Sequence, residues 1–120
     1  MRKKAEKTRG AGTLTESEFW SRIRSLLRNN SRFWKPISEA RKLARRPYTG
    51  NNPRQKWEYK CDRCKKYFIE TEIHVDHIIE AGSLRCAEDL PGFVERLFCE
   101  VDNLRVLCKP CHKSRNYDNF

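Results

Sequence analysis

The sequence predicts a small α+β protein, in which a basic, helical N-terminal extension precedes a short-stranded domain stapled by cysteines. Three observations predict it. Residues 15–46 place apolar side chains at helical spacing between capping and stop signals. From Trp57 the pattern changes to short alternating runs rich in aromatic and β-branched residues. Two Cys-x-x-Cys pairs, Cys61/Cys64 and Cys108/Cys111, lie in the second half with 43 residues between them. With 120 residues, 38% hydrophobic and 35% charged, the chain has room for one domain with an extension, but only a thin core.

The elements follow in order. Residues 1–12 are rich in Lys, Arg and Gly without apolar periodicity, which predicts a disordered basic arm. Thr15-Glu16-Ser17-Glu18 has the form of a capping box and opens a helix. Phe19, Trp20, Ile23, Leu26 and Leu27 form its apolar stripe, Arg24 and Arg28 lie off it, and Asn29-Asn30 ends it. A second helix starts near Pro36 with Ile37, Ala40 and Leu43/Ala44 on one side. Arg41, Lys42, Arg45 and Arg46 load it with positive charge, and Pro47 stops it. Residues 47–56 read as a linker. Trp57-Glu58-Tyr59 alternates into the first cysteine pair, and residues 66–69 and 72–75 read as strands, the second ending at Asp76-His77. Asp89 is placed to cap a helix with Pro91 in its first turn and Phe93, Val94, Leu97 and Phe98 on its apolar side. Asn103–Leu107 leads into the second pair, and a final helix carries His112. The domains expected are therefore 1–12, a basic arm; 13–56, a basic helical region and linker; and 57–120, the cysteine-bearing domain.

Charge divides along the same line. Residues 1–56 carry 16 Lys/Arg against four Asp/Glu, and residues 57–120 carry 10 against 12. A polyanion would meet the first half, and Arg24, Arg28, Arg41, Lys42, Arg45 and Arg46 are its candidate contacts. No apolar run approaches the roughly 18 residues of a membrane span, and no apolar segment follows the basic N-terminus as a secretory signal requires. Six cysteines in such a chain favour reduced, metal-binding thiols and a cytoplasmic setting.

The four paired cysteines have the donor type and spacing of a structural zinc site, since each two-residue gap lets a tight turn aim two thiolates at one ion. Binding energy then adds to folding energy, which suits a thin core. Cys86 and Cys99 fall outside the pattern and read as small buried hydrophobes. Between the pairs lie groups suited to chemistry. The Asp76 carboxylate and the His112 imidazole together suit a divalent ion that keeps positions open for phosphate and water. His77 projects differently from Asp76 along an extended chain, so it can face the water as a base. Cleaving a phosphodiester needs an aligned nucleophile, a base and a cation, and a single metal with a single histidine can cover all three. Duller readings stand beside each residue. His112 is an alternative zinc ligand, Asn103 a loop terminator, and His74 a packing residue or a support for a ligand.

These residues, in this order, resemble the His-Asn-His (HNH) endonuclease superfamily, and its zinc-knuckle phage-type subgroup most. Asp76-His77-Ile78, Asn103-Leu104, Leu107-Cys108 and Cys111-His112 carry the likeness, and Leu90–Phe98 is similar to the phage form of the insert. The resemblance implies a ββα-metal fold and a hydrolase that cuts DNA with one metal, leaving a 5′-phosphate and a 3′-hydroxyl. It makes His77 the general base, Asp76 and His112 ligands of Mg²⁺ or Mn²⁺, and Cys61, Cys64, Cys108 and Cys111 ligands of Zn²⁺. Asn103 would steady the loop bearing His77 or touch the metal. Two departures stand out. The His77–Asn103 gap is long, and Asn116 occupies the position where some relatives carry another metal-binding histidine. The same analogy suggests a phage-encoded enzyme acting in a bacterial host, beside packaging proteins such as a terminase or portal. The alternative is a non-catalytic, zinc-stabilised DNA-binding adaptor, which would not need Asp76, His77 and His112 together. RNA as a substrate would call for exposed stacking aromatics, whereas those of the basic half read as helix core.

Overall fold

The computed structural model describes residues 4–114. The described chain forms a mixed α+β structure of four α-helices and several short strands. It divides into two compact units, one built from the residues up to Trp34 together with Glu80–Phe98, the other from Lys35–Ile79 together with the residues from Cys99 on.

The first unit opens with a hairpin, where a disordered arm was expected. Strand β1 (Lys7–Arg9) pairs antiparallel with β2 (Leu14–Thr15). The turn holds three successive residues at positive φ, Gly10, Ala11 and Gly12, and the flanking glycines are what make that backbone accessible. The hairpin is anchored by polar contacts that apolar periodicity cannot reveal. The Arg9 guanidinium donates to both Glu16 carboxylate oxygens, at 2.8 and 3.0 Å, and lies 4.4 Å from the Phe19 ring centre. Helix α1 (Glu16–Ser31) starts at the expected capping box. The Thr15 hydroxyl accepts from Glu18 N at 3.1 Å, and the Glu18 carboxylate accepts from Thr15 N at 2.8 Å. The Arg9 hydrogen bond, joined by one from Trp20 Nε1 at 2.8 Å, holds the Glu16 carboxyl down to about 2.

Helix α3 (Leu90–Leu97) supplies the other side of this core, where buried Trp20, Ala81, Leu84, Phe93 and Leu97 pack together with Ile23 and Leu27. Pro91 sits in its first turn as expected, but Asp89 does not cap the helix. Its carboxylate is turned back to accept from Arg85 N at 3.0 Å.

The second unit is built on two small sheets. Helix α2 (Lys35–Ala44) belongs here with the strands, although the sequence places it in the extension before residue 57. It is held by its apolar side, with Ala40 and Ile37 packing on Cys99, Leu104 and Val75. Arg45, Arg46 and Pro47 do not extend this helix. They form β3 (Arg45–Pro47), which pairs antiparallel with β4 (Trp57–Lys60), itself paired with β5 (Tyr67–Phe68). Cross-strand contacts outweigh helical continuation here. Arg45 stacks 4.0 Å from the Trp57 ring centre and Arg46 3.4 Å from that of Tyr67, while Arg46 Nη2 bonds the buried Glu58 carboxylate at 3.3 Å.

The second sheet pairs β6 (Ile73–His77) with β7 (Leu104–Cys108), in a register that places Ile73 opposite Cys108, Asp76 opposite Arg105 and His77 opposite Leu104. Alternation sends Ile73 and Val75 into a core with Tyr59 and Val106, and sends His74 and Asp76 to the other face. Helix α4 (Lys109–Lys113) follows β7 directly, with Pro110 in its first turn.

Candidate metal centre

The first cysteine pair sits in a tight turn after β4. Cys61 N donates to Lys66 O at 2.8 Å and Lys65 N to Cys61 O at 2.9 Å, with Lys65 at φ 64°. Asp62 N donates to Val106 O at 2.8 Å, which fastens this turn to β7. The second pair spans the β7–α4 junction, with Cys108 ending the strand and Cys111 in the helix. Arg63 donates to the Ser114 hydroxyl, which donates in turn to Cys111 O at 3.3 Å, so the two turns are linked a second time.

The result is a cluster in which all four sulfurs lie within 4.8 Å of one another, Cys64 and Cys108 at 3.9 Å. Four thiolates about 2.3 Å from a common ion would lie about 3.8 Å apart. The group could therefore hold a metal ion such as zinc. Its protonation fits the same reading. Burial opposes ionisation of Cys61, yet hydrogen bonds from the Cys64, Cys108 and Arg63 backbone bring its thiol down to about 6. Burial and the neighbouring thiols push Cys111 up to about 12, and burial raises Cys108 as well. One thiolate forms readily and its charge resists the others, a conflict that a divalent cation removes. The remaining cysteines stand apart. Cys99 is buried among Ala40 and Leu104 as expected of a small hydrophobe, whereas Cys86 is only half-buried.

Beside this cluster the sheet and α4 bring Asp76 and His112 together. Asp76 is 8% exposed, and its Oδ1 lies 3.8 Å from His112 Nε2. His74 shares the β6 face with Asp76, and its ring is centred 4.6 Å from that of His112 at an interplanar angle of 30°. Two donors about 2.1 Å from one ion lie between about 3.0 and 4.2 Å apart, so the Asp76–His112 spacing suits a shared cation. Among the described residues, the four cysteines are the only set of three or more His, Cys, Asp or Glu groups close enough to share an ion. Asp76 and His112 are thus a close pair of potential donors and not a set of three or more. Asn116 lies outside the described residues.

His77, half-buried, ends β6 on the pleat opposite Asp76. The backbone just beyond His77 is fixed by Asn103. Ile78 N donates to Asn103 O at 2.8 Å, Ile79 N to Asn103 Oδ1 at 2.8 Å, and Asn103 Nδ2 to Ile79 O at 3.1 Å. One amide side chain therefore satisfies both backbone groups of Ile79 and sets where β6 stops. Asn103→Leu should remove the protection of the Ile79 amide from hydrogen exchange, whereas Asn103→Asp, keeping the acceptor but not the donor, should retain part of it. The stability lost should be about 1–2 kcal/mol for Leu. Equal protection in all three proteins would show that the clamp does not order this segment.

Of the basic residues expected to meet a polyanion, Arg24 and Arg28 lie on α1, with Arg24 5.9 Å from the Phe93 ring centre. Arg41 and Lys42 lie on α2, Lys42 paired with Glu39 at 3.5 Å. Arg45 and Arg46 are engaged in the stacks and ion pair of β3. The residue that sequence reading missed is Arg105. It faces Asp76 across the ladder, with Nη2 3.6 Å from Asp76 Oδ2. Only the strand register reveals this, and no local motif encodes register. Among the described residues no helix is long and apolar enough to cross a membrane. Compared with known proteins, the chain matches no family model, no curated protein and no solved structure.

Proposed function

We propose that this chain is a metal-dependent DNA endonuclease of the HNH type, its second unit a ββα-metal domain stabilised by zinc. The observation that carries the reading is the meeting of Asp76 and His112 at 3.8 Å, with His77 one residue away on a strand end clamped by Asn103. The antiparallel pair β6–β7, followed directly by α4, sets an acid on the first strand against an imidazole on the helix, donors that a metal-assisted hydrolysis can use.

In this reading Cys61, Cys64, Cys108 and Cys111 hold Zn²⁺, and Asp76 and His112 hold Mg²⁺ or Mn²⁺. When bound, the divalent ion would balance charge on the phosphate and on the departing 3′ oxygen. His77 takes the proton of a water whose oxygen bonds to phosphorus. The P–O3′ bond breaks, leaving a 5′-phosphate, and the 3′ oxygen ends as a hydroxyl with a proton from solvent. Asn103 acts by position, holding Ile78 and Ile79 so that the His77 backbone cannot drift. DNA would be held through its phosphates by Arg24, Arg28, Arg41, Lys42, Arg45 and Arg46, and binding should weaken steeply with salt.

The test is supercoiled plasmid incubated with the zinc-loaded protein in Mg²⁺ or Mn²⁺. Conversion to open-circular or linear DNA, abolished by chelator, is the expected result. DNA retention without any conversion under both metals would favour the non-catalytic adaptor instead.

A further inference from the structure

Asp76 lies between two cationic or potentially cationic groups. Its Oδ1 faces His112 Nε2 at 3.8 Å and its Oδ2 faces Arg105 Nη2 at 3.6 Å. The His112 contact is explained by a shared ion. The Arg105 contact is not, because a guanidinium beside a bound divalent cation repels it. Arg105 is also incompletely used by the protein. Its side chain is 25% exposed, and its Nε is buried without a hydrogen-bond partner. A guanidinium offers five donors in a planar fork that matches two oxygens of a phosphate.

We propose that Arg105 is the residue that grips the scissile phosphate. Without DNA it pairs with Asp76. With DNA it turns its donors to the non-bridging phosphate oxygens, while Asp76 is left to the divalent ion. The anion then offsets the repulsion between guanidinium and cation, so DNA and divalent ion each strengthen the binding of the other. This rests on the nuclease reading above and adds to it a substrate contact outside the ion's ligands and the general base. Arg105 does so from the strand that bears no histidine.

The experiment uses the full, zinc-loaded chain and Arg105→Gln, with Mn²⁺ as the probe. Titration calorimetry without DNA should show Arg105→Gln binding Mn²⁺ about three- to tenfold more tightly than the parent, because a like charge has gone. Cleavage of a short duplex at saturating Mn²⁺ should fall about 10²-fold, the usual loss for one donor to a developing charge. Arg105→Lys, which keeps a cation opposite Asp76 and guards against misfolding, should recover Mn²⁺ affinity to the parental value but only part of the rate, because it cannot grip two oxygens. Parental cleavage with Arg105→Gln cutting at the same rate, or weaker Mn²⁺ binding by that variant at unchanged zinc content, would overturn the role of Arg105 alone. A parent that cuts no DNA in Mg²⁺ or Mn²⁺ would overturn the nuclease reading and this inference with it.

Discussion

Stripping metal from the four-cysteine group with a strong chelator is expected to unfold the second unit, and readdition of zinc to restore it. The reason is the smallness of what else holds it. Its buried side chains fall into separate clusters, Cys61 with Leu107, Cys108 and Cys111, Ala40 with Cys99 and Leu104, and Tyr59 with Ile73 and Val106. The first of these consists largely of the cysteines themselves. Structural zinc in small domains contributes about 10–16 kcal/mol of apparent binding energy, as much as the whole folding stability of a typical domain, about 5–15 kcal/mol. A fall in melting temperature on the order of 20 °C or more, or loss of a cooperative transition, should follow chelation. Cys61→Ser should reproduce it, since that sulfur is fully buried in the cluster. Cys86→Ser, at a half-buried position outside the cluster, should change the transition little. Native mass spectrometry finding no zinc, together with a melting point insensitive to chelator, would remove the metal from the account of this fold.

What could be read from sequence was what is local. The α1 start was legible because Thr15 and Glu18 satisfy each other within one turn. The cysteine cluster was legible because each pair is set by a two-residue gap. Asp76 and His112 were singled out by residue type, and the fold brings them together. Features that depend on pairing across distance were not legible. Arg45-Arg46-Pro47 continues a basic helical run in sequence, and only β4, ten or more residues on, makes it a strand. The β1–β2 hairpin has no apolar pattern, since its anchor is Arg9 on Glu16 and Phe19. Asn103 was recognised, but its partner Ile79, 24 residues away, was not. Arg105 was not recognised, because its meaning lies in the register against Asp76. These non-local pairings also bear on how the chain can be divided. Residues 1–56 cannot be removed without taking Ala40 out of the core it shares with Cys99 and Leu104. Charge removal at Arg41 or Lys42 is therefore the cleaner test of the basic half.

His77→Ala is expected to lower the cleavage rate by about 10²–10⁴-fold, the usual contribution of a positioned general base. That corresponds to about 3–5 kcal/mol of activation free energy. Zinc content and Mn²⁺ affinity, measured beside the rate, report whether the rest of the site is kept. His77 is the last residue of β6, only half-buried, and its β7 neighbour is the backbone of Leu104. The chain beyond it is held by Asn103 on Ile78 and Ile79, contacts that do not use the His77 side chain. Zinc content, Mn²⁺ affinity and duplex affinity should therefore stay at parental levels, and millimolar imidazole should restore part of the rate by supplying the missing base. Asp76→Ala provides the contrast. Its loss should lower Mn²⁺ affinity as well as rate, and imidazole should not rescue it, because what is missing there is a ligand. The two profiles separate a base from a metal ligand on adjacent residues that alternation sends to opposite faces of β6. Cleavage by His77→Ala within threefold of the parent, with Asp76→Ala inactive, would leave the metal site standing and show that the proton of the attacking water goes elsewhere.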